Sequence, residues 1–93
     1  MTTTFIKNIQ FTKLIKVDGR LREFNFRKMT NAAGIQFSVD VSDDKGNRIM
    51  LWLQKENGNW NIQEPSSLPS WILKQESILH QLIEEELYTG TNS

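Results

Sequence analysis

Cysteine is absent and histidine occurs once, at His80, so the chain is poor in the side chains that carry most enzyme and metal chemistry. Without cysteine there are no disulfide staples, no thiolate nucleophile and no thiolate metal site. One histidine with scattered carboxylates gives neither a zinc or iron site nor a base beside a serine nucleophile, and no serine sits in a catalytic motif. No catalytic, cofactor-binding or metal-binding residue is therefore expected, and the chain reads as a non-enzyme. The five glycines are dispersed, which leaves out a glycine-rich phosphate loop. No apolar run approaches the roughly 20 residues of a membrane span. The N-terminus lacks a signal-peptide pattern, so no membrane association and a cytoplasmic location are expected.

Net charge is also missing, with 11 basic and 11 acidic residues, so there is no overall pull toward nucleic acid or anionic lipid. The distribution is uneven: residues 1–48 hold nine Lys/Arg against five Asp/Glu, and residues 49–93 hold two against six. At 93 residues there is room for one domain with a modest core. Its ordered part is expected over about residues 5–88, with a disordered tail over 89–93.

What is present is period-two alternation. Ile9, Phe11, Ile15 and Val17 alternate with polar neighbours after a frayed start at Phe5 and Ile6. Phe24 and Phe26 then point one way, and Glu23, Asn25 and Arg27 the other. Ile35, Phe37, Val39 and Val41 alternate without fault, Ile49, Leu51 and Leu53 oppose Met50 and Trp52, and Trp60 and Ile62 mark a short last strand. Asp18-Gly19 and Asn57-Gly58 are two-residue hairpin signals, because type I′ turns need positive φ at both positions. Asn31–Gly34 and Asp43–Asn47 punctuate the other strands. The Asp43–Asn47 loop lacks the ligand spacing of a calcium loop and is explained by turn chemistry.

Residues 66–90 predict one long amphipathic helix, with Leu68, Trp71, Ile72, Ile78, Leu79, Leu82 and Ile83 in one arc at about 100° per residue. Pro69 and the serines Ser66, Ser67 and Ser70 suit its start, and Gly90 its end. The fold class is α+β: an antiparallel meander of four to five strands with a C-terminal helix on one face. In this strand order, over roughly residues 11–88, the chain resembles sheet-plus-helix modules of the PUR and Whirly type. That resemblance implies single-stranded nucleic-acid binding. Trp60-Asn61-Ile62 followed by Leu68-Pro69-Ser70-Trp71-Ile72 is similar to small uncharacterised bacterial proteins of this layout.

Two surfaces are candidates for function. Leu73, His80 and Leu87 recur every seven residues off the main apolar arc, a pattern that suits self-association or another protein partner. The acidic run Glu84–Glu86, unfavourable near a helix C-terminus, calls for basic residues nearby, and the Lys13–Lys28 hairpin, in the same chain or in another copy, is their expected source. The second candidate is a nucleic-acid face with Trp52 as stacking platform and Lys13, Lys16, Arg20, Arg22, Arg27 and Lys28 as phosphate contacts. Glu23 and Asp40 should share the face of Trp52 and count against it. The leading expectation is a self-associating binding or assembly module, and the alternative is a single-stranded nucleic-acid binder.

Overall fold

Alternation and turn chemistry produce a five-stranded antiparallel sheet. A computed structural model describes residues 9–31 and 34–91. The strands are β1 (Gln10–Val17), β2 (Arg20–Asn31), β3 (Gly34–Ser42), β4 (Arg48–Glu56) and β5 (Asn59–Ile62), in spatial order β1-β2-β3-β4-β5. Both predicted tight hairpins form: Asp18 and Gly19 have φ of 50° and 82°, and Asn57 and Gly58 have 53° and 85°. Left-handed backbone at both central positions twists the hairpin with its strands. The five-residue Asp43–Asn47 turn is built on its first side chain, since Asp43 Oδ1 accepts the N–H groups of Lys45 (2.9 Å) and Asn47 (2.8 Å). These bonds, the Asn47 N–H foremost, hold the Asp43 carboxyl below its ordinary pKa. The segments 5–8 and Ala32-Ala33, and the end of the expected tail at Asn92 and Ser93, lie outside the described residues.

Register sorts the side chains. Phe11 pairs with Phe26, Phe26 with Val39, Val39 with Leu51 and Leu53 with Ile62, so the buried apolar residues of all five strands share one face. Phe11 stacks on Phe26 at 4.5 Å between ring centroids, and Phe37 meets Trp60 edge-on at 5.1 Å. Ile72, Leu79 and Ile83 close this core from the helical side.

The helical segment departs from expectation. Glu64 takes a left-handed conformation, a 3₁₀ turn follows over Pro65–Ser67, then the short helix α1 (Ser70–Leu73) and, after a break at Lys74-Gln75, α2 (Glu76–Thr91). Pro69 is the N-cap of α1 and no side chain caps it, while the Ser67 hydroxyl donates to the Glu64 carbonyl (2.9 Å). Helix α2 runs through Gly90 to Thr91, past the expected stop. No helix among the described residues is long and apolar enough to cross a membrane.

The buried face of α2 is also rotated from the expected arc. Leu79 and Ile83 are fully buried, but Ile78 is 40% exposed, whereas Leu73 and Leu87 pack against the core and His80 is half-buried. The reason is lateral placement. Helix α2 follows β5, the edge strand, and covers both the core and that strand's outer edge, so two sides of the helix are in contact and the Ile78 margin is left out.

Candidate functional site: the open sheet face and the guarded edge

One edge of the sheet is closed by side chains. In β5 the N–H groups of Asn59 and Asn61 face β4, so those of Trp60 and Ile62 point outward. The Trp60 N–H donates to His80 Nδ1 (3.0 Å) and the Ile62 N–H to Glu76 Oε2 (2.8 Å). Glu84 Oε2 accepts the Trp60 indole N–H (2.8 Å) and lies 3.2 Å from Lys55 Nζ. Glu76, His80 and Glu84 are spaced by four, one line along the helix. Together they do what a sixth strand would otherwise do. The indole bond, with Lys55 assisting, draws the Glu84 carboxyl below its ordinary pKa.

This arrangement corrects the first candidate. Leu73 and Leu87 pack on the core and His80 binds β5, so these three residues do not form an exposed stripe. Within the chain, Glu84 of the acidic run pairs with Lys55 on β4. At the opposite edge, β1 carries Lys13 on its core-side face, partly buried beside Phe24; an inward charge on an edge strand discourages further strand pairing.

The cationic cluster divides by strand parity. Lys13, Arg20, Arg22 and Lys28 share the parity of Phe24 and Phe26 and lie on the helix side. Arg22 is committed there: its guanidinium sits 4.6 Å over the Trp71 ring, donates to the Ser42 carbonyl (3.1 Å) and pairs with Asp44. Arg20 reaches the same carboxylate at 2.8 Å. The Arg22 bond foremost holds the Asp44 carboxyl below its ordinary pKa. Of the six expected phosphate contacts only Lys16 and Arg27 share the face of Trp52, joined by Arg48, which the sequence reading left out.

That face is open. Across it Thr12 pairs with Asn25, Asn25 with Asp40 and Asp40 with Met50. The Thr12 hydroxyl donates to Asn25 Oδ1 (2.7 Å), Asn25 Nδ2 donates to Asp40 Oδ1 (2.9 Å), and Arg48 Nε stands 3.9 Å from that carboxylate. A depression of about 580 Å³ lies over this row, reaching Gln10, Arg27 and Ser38. In the next row Arg27 pairs with Ser38 and Ser38 with Trp52. Leu14, Leu21, Met29, Met50 and Trp52 all project from the same face, from 37% exposed at Met29 to 66% at Leu21. Met50 and Trp52 were legible from parity; the Thr12–Asn25–Asp40 row required the register. Among the described residues no three His, Asp or Glu side chains are grouped to hold a metal ion. No protein-family model, curated protein or solved structure matches the chain.

Proposed function

We propose that the chain is a small non-enzymatic binding module that works through the open face of its sheet, and that this face takes a second protein surface, in the first instance another copy of the chain. The observation that supports this is the set of five large apolar side chains, Leu14, Leu21, Met29, Met50 and Trp52, exposed on one sheet face while the other face is covered. Scattered single apolar residues at a surface need no explanation, but five on one sheet face suit an interface. The charges fit the same occupant. Lys16, Arg27 and Arg48 are interspersed with Glu23 and Asp40, a near-balanced pattern that a two-fold-related copy can match with its own opposite signs. A polyphosphate chain would favour a one-signed face.

A second reading has one specific support. Trp52 stands in a row with Arg27, and Arg48 lies on the same strand and face, an aromatic platform flanked by cations as single-stranded nucleic acid uses. One pair of measurements separates the two. Sedimentation equilibrium should show a dimer forming with concentration, abolished by Met50→Glu with Trp52→Glu while the urea midpoint changes little. A protein that stays monomeric at hundreds of micromolar overturns the leading reading. Tryptophan quenching by an oligonucleotide mixture, weakening steeply between low and moderate salt, would install the second in its place.

A further inference from the structure

We propose that His80 is a proton-operated latch that fastens α2 to the outer edge of β5, closed when the imidazole is neutral and open when it takes a proton. The geometry fixes the protonation state of the closed form. Nδ1 lies 3.0 Å from the Trp60 nitrogen and accepts its N–H, so Nδ1 carries no hydrogen and the neutral ring is the Nε2–H tautomer. Protonation places a second hydrogen between two donors. No flip of the ring restores the bond, because an imidazolium has no acceptor nitrogen.

The neighbouring caps behave differently. Glu76 holds the Ile62 N–H, and Glu84 holds the Trp60 indole N–H, through carboxyl oxygens, which keep acceptor capacity in either protonation state. The edge therefore opens at its middle contact while its flanking contacts persist. The charged groups near His80 are Glu76 and Glu84 on its own helix and Lys55 of β4, held on Glu84. From β5 the facing side chains are Asn59, Trp60 and Asn61, none charged, around an opening of about 230 Å³ that also reaches Ser77. When the latch opens, the outward N–H of an edge strand is left free, the group that strand pairing with another chain requires.

Backbone amide exchange tests the latch. With intrinsic rates corrected, the protection of the Trp60 amide should fall about tenfold between about pH 7.5 and 5.5, roughly what one net hydrogen bond amounts to, with the Val39 amide in β3 unchanged. In His80→Gln, whose amide oxygen accepts at every pH, the fall should disappear. Constant Trp60 protection in the wild type, or the same fall in His80→Gln, overturns the proposal. Should that variant not fold, imidazole nitrogen shifts of the wild-type protein decide it: hydrogen on Nδ1 near neutral pH is incompatible with a closed latch.

Discussion

The rotation of α2 is measurable through two adjacent residues. Leu79→Ala removes three carbons from a side chain that is 0% exposed and touches the sheet core. At about 0.8 kcal/mol per buried carbon the transfer loss alone is about 2.4 kcal/mol, and the cavity left behind brings the cost to about 2–5 kcal/mol. Ile78→Ala removes the same number of carbons from a side chain 40% exposed at the helix margin. There no closed cavity forms, and alanine recovers a few tenths of a kcal/mol in helix propensity, so the net cost should stay below about 1 kcal/mol. Against a total of about 5–14 kcal/mol for a domain of this size the difference is large. With a slope of about 1.5 kcal/mol per molar urea, Leu79→Ala should lower the midpoint by about 1.5–3 M and Ile78→Ala by well under 1 M. Circular dichroism at 222 nm and tryptophan fluorescence should report the same midpoints. Equal shifts for the two variants would restore the symmetric arc and refute the placement of α2 along β5.

Two further outcomes follow from the same packing. Replacing Leu73 and Leu87 together with Glu should lower stability by several kcal/mol, because both pack on the core; a variant as stable as the wild type in urea would show that these leucines are free surface. The acid limb of stability should carry a contribution from Glu84, whose carboxyl is held below its ordinary 4.5. A lowered carboxyl stabilises the fold above the unfolded-state pKa and loses that contribution as pH falls through the folded value. With the side chain 40% exposed, the contribution is about 1 kcal/mol at most. The gap in stability between wild type and Glu84→Ala should therefore narrow below about pH 4.5, and a gap that stays constant to pH 2 would contradict the indole bond.

The sequence by itself determined the sheet. Period-two alternation assigned most apolar strand residues to a face, though not Leu14, Leu21 or Met29, and Asp18-Gly19 and Asn57-Gly58 fixed two turns, because both signals are local: a side chain's face depends on its parity and a turn on its own φ angles. Parity also placed Met50 and Trp52 on the open side. Applied to the cations, the same parity separates Lys13, Arg20, Arg22 and Lys28 from Trp52; counting them as one cluster by closeness in sequence obscured it. Only the tertiary structure decided the rest. Helical periodicity reports which residues share an arc, but the arc that is buried depends on where the helix lies against its partner, and α2 lies along an edge strand. That offset covers His80 and Leu87 and exposes Ile78, while Leu73 packs on the core from α1. It brings Glu76, His80 and Glu84 onto backbone and indole groups that lie up to 24 residues away in sequence. Contacts at that separation are set by how the meander and the helix pack in three dimensions, and no spacing within the helix encodes them.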